Sequence, residues 1–305
     1  MSDKRGLIWL DGKFVPWAKA NVHVLTHTLH YGLGVFEGIR AYKCDDGKTA
    51  IFLLDEHIKR LYNSCHIAGI KIPYTKKVIK SAIIQLINKN KLDEAYIRPL
   101  VFIGDGSFGV HPKNNPIRLA IAAWPWGAYL GDDGVNKGIR TKVSSFTRMG
   151  VNSFMTKAKI SGNYVNSIFA KVEATRLGFD EALLLDSEGY LAEGSGENIF
   201  IVRNKIIKTP PLTSILEGLT RNCIIQIAKD KKYTVTEERF TRDELYIADE
   251  VFLTGTAAEV TPIREVDYRV IGSGKPGRVT KDLQSTFFDT VRGKNEKYSG
   301  WIEYV

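Results

Sequence analysis

The sequence has few cysteines and no long hydrophobic run. Its three cysteines, Cys44, Cys65 and Cys223, are odd in number and widely spaced. They therefore fit neither a disulfide framework nor a Cys-x-x-Cys metal site. No apolar stretch approaches the roughly 20 residues that a membrane-spanning helix needs. The first residues lack the pattern of a signal or transit peptide, which predicts a cytoplasmic protein.

Arginine-rich runs are also absent, although the formal net charge is +9. A positive surface attracts polyanions, so nucleic-acid binding is one interpretation of this charge. The basic residues are instead spread as lysine pairs, such as Lys76-Lys77 and Lys231-Lys232, and no nucleic-acid-binding module is recognisable. We predict neither a nucleic-acid nor a membrane partner, and part of the charge can serve an anionic cofactor or substrate.

Patterns that bind metals or nucleotides are weak. His23, His27 and His30 have a spacing that would place them on one helical face, but no acidic or cysteine ligand accompanies them. Structural histidines are the preferred interpretation. The segment 272–277 resembles a phosphate loop only superficially, because no hydroxyl residue follows its lysine and no buried strand precedes it. We predict no metal site and no nucleotide site.

Length and the order of predicted elements indicate an α+β protein with two domains. A chain of 305 residues exceeds the size at which a single core stops growing. Strands and two amphipathic helices are predicted in a small N-terminal domain, residues 1–125. We interpret residues 126–137 as the linker and residues 138–305 as the large C-terminal domain. The segment Pro125–Gly134 is expected to interrupt regular structure.

The stretch Phe154–Tyr164 contains the main candidate for a reactive side chain. Lys157 and Lys159 lie in a largely uncharged run before a helix predicted from about Asn163 to Leu177. An amine kept away from water loses part of its preference for the charged form, which makes it a usable nucleophile towards an aldehyde. In extended chain the two lysines point to opposite sides, and the pattern does not say which one faces a pocket. The alternative is that both are solvated surface charges.

Other segments suit an anionic or charged ligand. Glu193 flanks a Gly-Ser-Gly bend and either holds a protonated ring nitrogen or belongs to a solvated turn. Residues 218–220 precede an apolar-periodic helix and would present free backbone N–H groups at its positive end. Arg98 shares one strand face with Tyr96, where it can hold a carboxylate. Arg60 lies at a helix edge, where a surface position, an ion pair and contact with a phosphate are all open.

Six segments carry a resemblance that none of them carries alone. They are Tyr31–Arg40, Tyr96–Pro99, Lys157–Tyr164, Glu193–Phe200, Leu216–Arg221 and Thr254–Glu259. In this order they resemble the branched-chain amino-acid aminotransferases, members of the fold-type IV pyridoxal-phosphate enzymes. The resemblance implies the two-domain α+β fold of the D-amino-acid aminotransferase type.

The resemblance also implies pyridoxal 5'-phosphate as the cofactor. Lys159 matches the family's Schiff-base lysine and would be the catalytic residue, which leaves Lys157 as a structural or surface residue. Glu193 matches the acid that pairs with the pyridine nitrogen, and Tyr164 matches the phenol near the ring's O3′. The residues that match the family's phosphate grip are Arg60, Gly218, Leu219, Thr220, Gly255 and Thr256.

The implied reaction is transamination of L-leucine, L-isoleucine and L-valine with 2-oxoglutarate, giving branched 2-oxo acids and L-glutamate. One pocket must then accept an aliphatic side chain and a carboxylate. The implied substrate-binding residues match three parts of the family's site. These parts are the apolar walls, the residues that hold the distal carboxylate of glutamate, and the turn that binds the α-carboxylate. They are Tyr31, Phe36, Gly38, Tyr96, Arg98, Trp126, Tyr129, Thr256, Ala257 and Ala258.

The assembly implied is at least a homodimer, because in the family the loop near 108–110 and the Tyr31 segment reach a neighbouring subunit's site. A hexamer built as a trimer of dimers is the larger alternative. D-amino-acid aminotransferases and aminodeoxychorismate lyases share the fold. The D-amino-acid aminotransferases have Arg-x-His where this chain has Arg98-Pro99-Leu100, which argues against that family. A basic binding protein without catalysis is the alternative from another class.

Overall fold

The computed structural model describes residues 6–127 and 130–305. Strands and helices are mixed along the chain, as the α+β prediction requires. The strands are β1 (Leu7–Leu10), β2 (Lys13–Pro16), β3 (Gly34–Phe36), β4 (Ile39–Lys43), β5 (Thr49–Phe52), β6 (Ala95–Ile103), β7 (Ile117–Trp124), β8 (Ile139–Val143), β9 (Glu181–Leu185), β10 (Leu191–Gly194), β11 (Asn198–Arg203), β12 (Ile206–Thr209), β13 (Thr234–Glu237), β14 (Glu250–Gly255), β15 (Glu259–Val266), β16 (Arg269–Val270) and β17 (Ile302–Tyr304).

The helices lie between these strands, and short 3₁₀ turns at Trp17–Lys19, Ser161–Asn163 and Glu296–Trp301 accompany them. The α-helices are α1 (His27–Tyr31), α2 (Leu54–Ile67), α3 (Lys76–Asn90), α4 (Gly131–Lys137), α5 (Tyr164–Arg176), α6 (Leu219–Asp230), α7 (Arg242–Tyr246) and α8 (Arg278–Val291).

The chain forms two compact units. Unit 1 consists of Met1–Trp126, Ala158–Asn163 and Thr290–Val305, and unit 2 consists of Gly127–Lys157 and Tyr164–Asp289. The domain boundaries proposed from the sequence, at residues 126–137, stay a prediction.

Unit 1 is built on an eight-stranded sheet in the order β17-β5-β4-β6-β7-β1-β2, with β3 also paired to β6. A hairpin at Asp11-Gly12 joins β1 and β2, and both turn residues have positive φ. Helices α2 and α3 pack on the sheet because their apolar residues recur at helical spacing. Their side chains, Leu61 and Leu86 among them, join those of β4, β6 and β7 in one core.

A proline in the middle of β6 interrupts this sheet at one place. Pro99 has no N–H, and its carbonyl oxygen accepts from the Glu37 amide at 2.9 Å, so the missing donor is on the side of β3 and β4. Strand β3 pairs with β6 as far as Phe36↔Leu100, and β4 resumes at Ile39↔Ile97. The ladder therefore breaks at Glu37 and Gly38, and both residues are buried in the gap.

Unit 2 is built on a nine-stranded sheet in the order β10-β9-β8-β15-β14-β11-β12-β13, with β16 on β15. Its main core lies among β8, β11, β14 and β15 and includes Ile199, Ile201 and Leu253. The Phe200 and Phe252 rings stack at 4.9 Å between centroids. The carboxylate of Glu250 accepts from the backbone N–H groups of Val279 and Thr280, which places an anion at the positive end of α8.

One element of unit 2, α4, differs from the sequence-based expectation. The segment Pro125–Gly134 was expected to lack regular structure, but α4 begins at Gly131. An i,i+4 pair between Lys137 and Asp133 and the burial of Val135 support this short helix. In α5, Ser167, Ala170 and Ala174 face the core, whereas the larger apolar residues are exposed. The exposed side chains are Val165, Ile168, Phe169 and Val172.

The unit 2 core gives a matched stability test. Ile201→Ala is expected to lower the free energy of unfolding by about 2–5 kcal/mol, because a fully buried side chain leaves a cavity. Ile247→Ala, at a position that is 58% exposed, is expected to change it by less than about 0.5 kcal/mol. Urea denaturation of both variants measures the difference. Equal losses would contradict the assignment of the core.

Candidate active site

Lys159 lies in unit 1, where its backbone is held beside β3. Its carbonyl oxygen accepts from the Phe36 amide at 3.1 Å, and its own amide donates to Ser64 Oγ at 3.0 Å. The half-buried side chain places Nζ 5.0 Å from the centroid of the Phe36 ring. Lys157 is exposed, and its Nζ donates to the Ile215 carbonyl in unit 2 at 3.4 Å. The two lysines therefore have different surroundings, a distinction that the sequence pattern left open.

A contact between two glycines brings the Lys159 segment close to β3. The Gly162 amide donates to the Gly32 carbonyl at 2.9 Å. Gly32 has φ +74, and a Cβ atom built there would lie 3.1 Å from Gly162 Cα. A side chain at position 32 would be strained in backbone conformation and would push the two segments apart. The glycines thus allow the backbone approach on which the position of Lys159 depends.

A buried ion cluster lies next to this segment in unit 1. Both Glu37 oxygens accept from Arg60, Oε1 from Nε at 2.7 Å and Oε2 from Nη2 at 2.9 Å. His57 Nδ1 hydrogen-bonds Glu37 Oε2 at 2.7 Å, and the side chains of Glu37 and His57 are inaccessible to solvent. The sequence left Arg60 open between a surface position, an ion pair and a phosphate contact. In the structure it forms a bidentate ion pair, which fixes the plane of its guanidinium.

The protonation states of this cluster follow from burial and charge. Burial alone would raise the pKa of Glu37, but the charge and hydrogen bonds of Arg60 and the hydrogen bond from His57 hold it well below the usual carboxyl range. Burial lowers the pKa of His57 below that of a free histidine, although Glu37 acts in the opposite direction. Because Arg60 already balances the carboxylate, a second buried cation has no counterion. His57 is thus the neutral donor to an ionised Glu37.

Five of the expected substrate-binding residues lie together in unit 1. Arg98 Nη2 donates to the Tyr96 hydroxyl at 3.0 Å, and its guanidinium lies 4.6 Å from the centroid of the Phe36 ring. The Tyr96 and Trp126 ring centroids are 5.0 Å apart. A Cβ atom at Gly38 would lie 2.0 Å from the Tyr96 hydroxyl, so only glycine allows this packing. The group combines apolar ring faces with one fixed cation.

In unit 2, Glu193 is the centre of a second buried cluster. Its Oε1 accepts from Arg148 Nε at 2.5 Å, and its Oε2 accepts from Asn198 Nδ2 at 3.2 Å. Asn198 Nδ2 also donates to the Leu216 carbonyl at 3.0 Å. All three polar side chains, those of Arg148, Glu193 and Asn198, are buried. The interpretation of Glu193 as a solvated acid of a turn is therefore wrong.

The expected phosphate-binding segments of unit 2 are the start of α6 and the turn after β14. Gly218 is the N-cap of α6, and among the described residues no side chain caps this helix end. The amides of Leu219 and Thr220 stand at its positive end, as the sequence predicted. Thr256, Ala257 and Ala258 form the turn between β14 and β15.

A further acid borders this turn. The Glu197 side chain is buried against Gly255, and a Cβ atom at Gly255 would lie 3.4 Å from Glu197 Cγ. Burial, with a smaller contribution from the charge of Glu181, raises the pKa of Glu197 to about 8. The cluster therefore combines the Arg148–Glu193 ion pair with a neighbouring acid that keeps its proton at neutral pH.

The remaining predicted site residues are more separated. Tyr164 is half-buried at the first position of α5. Tyr31 is 48% exposed, and its ring lies 4.6 Å from that of His27, between centroids. Tyr129 lies outside the described residues.

Four residues of these clusters were not predicted from the sequence. Glu37 and Asn198 occur inside two of the six segments, so a buried role could have been suspected there. His57 looked like one polar residue of an amphipathic helix, and Arg148 occurs in a polar loop without an apolar period. The partners of Glu37, His57 and Arg148 are 20 to 45 positions away in sequence, which is why local patterns did not reveal these three residues.

The histidine cluster has structural partners. His27 Nε2 hydrogen-bonds the Gly109 carbonyl and His30 Nε2 the Val24 carbonyl, both at 2.8 Å, while His23 Nδ1 accepts from the Leu25 amide. The described residues contain no group of three or more His, Cys, Asp or Glu side chains that could hold a metal ion. Over residues 6–127 and 130–305, no helix combines the length and the apolar character needed to cross a membrane.

Comparison with known proteins gives consistent results. The family described as amino-transferase class IV matches residues 34–266. The branched-chain-amino-acid aminotransferase of Pseudomonas aeruginosa is 52% identical over 305 residues, 100% of this chain and 99% of its own. The branched-chain amino acid aminotransferase of T.th. with pyridoxamine 5'-phosphate has a TM-score of 0.95 at 50% identity, covering 98% of both chains. Its complex with N-(5'-phosphopyridoxyl)-L-glutamate also gives 0.95 at 50% identity, covering 99% of both.

The neutral state of His57 predicts a pH dependence of stability. Unfolded His57 takes up a proton as the pH falls through about 6.5, whereas the folded protein resists it, so the folded state loses stability below that pH. His57→Asn keeps a donor for Glu37 without this titration. We expect the difference in unfolding free energy between wild type and variant to change between pH 7 and 5, by at most about 1.4 kcal/mol per pH unit. Urea denaturation at pH 5, 6 and 7 measures it, and parallel profiles would contradict a neutral His57.

Proposed function

The chain belongs to the amino-transferase class IV family, and we propose that it is a pyridoxal-phosphate-dependent branched-chain aminotransferase. It transfers the amino group between L-leucine, L-isoleucine or L-valine and 2-oxoglutarate, giving branched 2-oxo acids and L-glutamate. The observation that carries this conclusion is the similarity, over the whole chain, to a branched-chain-amino-acid aminotransferase at 52% identity. A cytoplasmic location is part of the proposal.

The chemistry of the donor groups fits the cofactor. The uncapped positive end of α6, at Gly218, Leu219 and Thr220, suits a phosphate, and the Gly255-Thr256 turn offers further backbone approach. An ionised Glu193 suits a protonated pyridine nitrogen. When bound, pyridoxal phosphate supplies an electron sink that lets the substrate lose its Cα proton. We propose that Tyr164 lies near the ring's O3′ and that Arg60, oriented by Glu37, contributes to phosphate binding.

Lys159 is proposed to bind the cofactor and to move the proton. Its Nζ would hold the cofactor and, as a positioned general base, would take up the proton that the substrate Cα loses. The backbone bonds to Phe36 and Ser64 hold the lysine at a fixed position, while its side chain keeps the freedom to move. Lys157 does not share these contacts, which supports the choice of Lys159.

The cluster around Arg98 is proposed to accept both kinds of substrate. Phe36 and Trp126 offer apolar surface to an aliphatic side chain, with Tyr129 as a further expected wall residue. Arg98 is proposed to hold the distal carboxylate of glutamate. Among the described residues its Nε is buried without a hydrogen-bond partner, so the guanidinium has donor capacity left for an anion. We propose that the Thr256–Ala258 turn receives the α-carboxylate.

We propose that the enzyme is at least a homodimer. Tyr31 is about half exposed, and Phe108 and Val110 are 69% and 83% exposed, which supports burial of this surface against a second copy. Tyr31 would then contribute to the neighbouring subunit's site. A hexamer is the larger alternative.

The function is tested by spectroscopy of the purified protein with pyridoxal phosphate. L-leucine is expected to remove the visible absorption band of the bound cofactor, and 2-oxoglutarate to restore it. Lys159→Ala is expected to lack this cycle and to lower kcat by at least about 10³-fold, because the nucleophile and base are lost together. Lys157→Ala is the matched control and should keep the cycle. A response to D-alanine alone would contradict the proposed substrate.

The role of Arg98 gives a specificity prediction. Arg98→Met keeps a flexible apolar side chain beside Phe36 but removes the cation. The kcat/KM for L-glutamate is expected to fall about 10- to 100-fold, while that for L-leucine changes less than about threefold. Arg118→Met is the control, because its guanidinium also lies over a ring, that of Phe102, at 5.2 Å. An equal loss for both substrates would contradict a role in carboxylate recognition.

A further inference from the structure

Arg148 is a buried cation in direct contact with Glu193, and the proposed function gives it no role. Its Nε bonds Glu193 Oε1 at 2.5 Å, and only 9% of its side chain is exposed. A buried carboxylate without a counterion would take up a proton, because its charge loses the solvation that water provides. Arg148 therefore favours the anionic form of Glu193.

Asn198 holds the other side of Glu193 and connects it to the start of α6. Its two amide N–H groups can serve two acceptors at once, and Nδ2 donates to Glu193 Oε2 and to the Leu216 carbonyl. Its Oδ1 lies 1.9 Å from where a Cβ atom of Gly218 would stand. The carboxylate is thus held at both oxygens, by a charge on one side and by a rigid amide on the other.

Two other titratable groups that interact with Glu193, Lys157 and Glu197, do not replace Arg148. Lys157 interacts with it electrostatically, but its nitrogen bonds the Ile215 carbonyl and its side chain is exposed. Glu197 is an acid, so any charge it carries repels that of Glu193. Arg148 alone combines burial with a direct hydrogen bond to the carboxylate among these three residues.

We propose that Arg148 is a positioning residue that keeps Glu193 ionised and oriented, so that a proton shared with the cofactor's pyridine nitrogen stays on that nitrogen. The proposal rests on the proposed function. A proton between Glu193 and the ring can reside on either partner. The fixed positive charge of Arg148 stabilises the carboxylate anion and thereby favours the protonated ring, which is the better electron acceptor.

The test compares two ligands that differ at the ring nitrogen alone. Pyridoxal phosphate and 1-deazapyridoxal phosphate, in which carbon replaces that nitrogen, are titrated into the apoenzyme and followed by absorbance and protein fluorescence. Arg148→Gln is expected to raise the dissociation constant of pyridoxal phosphate about tenfold or more, the range for losing a charge-assisted contact. For the deaza compound we expect a change of less than about twofold.

Further variants separate positioning from folding. Arg148→Lys keeps a charge and is expected to recover most of the loss. Arg148→Met, which also removes the charge, replaces Arg148→Gln in the comparison if the latter does not fold. Arg140→Gln removes a different arginine–glutamate pair of unit 2, with Glu265 at 2.9 Å, and should leave both dissociation constants unchanged.

The outcomes are distinct. An equal loss for both ligands, or no loss for either, would overturn the role of Arg148 and leave the proposed function intact. Wild-type protein that binds neither ligand would instead overturn the proposed function itself. A loss confined to pyridoxal phosphate and rescued by lysine supports the proposal.

Discussion

Each unit contains a carboxylate that is buried away from water, and the need to stabilise this charge is the constraint on which both units depend. Such a group is stable only when charges and donors replace its hydration, and removing one partner of a buried pair usually costs about 3–5 kcal/mol. In unit 1, Glu37 is held by Arg60 and His57, and in unit 2, Glu193 is held by Arg148. Phe36 and Gly38 flank Glu37 in sequence, and Asn198 connects Glu193 to the segment before α6.

The backbone places the two buried carboxylates, Glu37 and Glu193, in different ways. Glu37 enters the interior because Pro99 cannot continue the β6 ladder, which leaves Glu37 and Gly38 between β3 and β4. Glu193 lies on β10, and Asn198, the first residue of β11, donates to it across the bend between these strands. In both cases an interruption of regular pairing places a polar group where an uninterrupted sheet would place an apolar one.

In β6, β7, β14 and α6, the apolar spacing along the sequence coincides with the face that is buried. It was less informative for α5, where Phe169 is exposed and the small residues Ala170 and Ala174 pack inward. A periodic apolar face shows that something covers it, but it does not identify the covering surface. The same holds for α4, whose short length and polar sequence give little periodic signal.

The sequence by itself determined the α+β class, the family and the choice of Lys159 and Glu193 as candidate site residues. It could do so because glycines and polar residues occur in ordered segments that reflect the backbone geometry a site needs. Only the tertiary structure decided that Arg60 pairs with Glu37, that Lys159 rather than Lys157 lies beside Phe36, and that Arg148 holds Glu193. These contacts join residues separated by 20 or more positions, and no local pattern specifies the partner of a buried charge. The packing of distant segments brings such groups together. A buried charge without a partner costs free energy, so the stable packing is one in which the charges are paired.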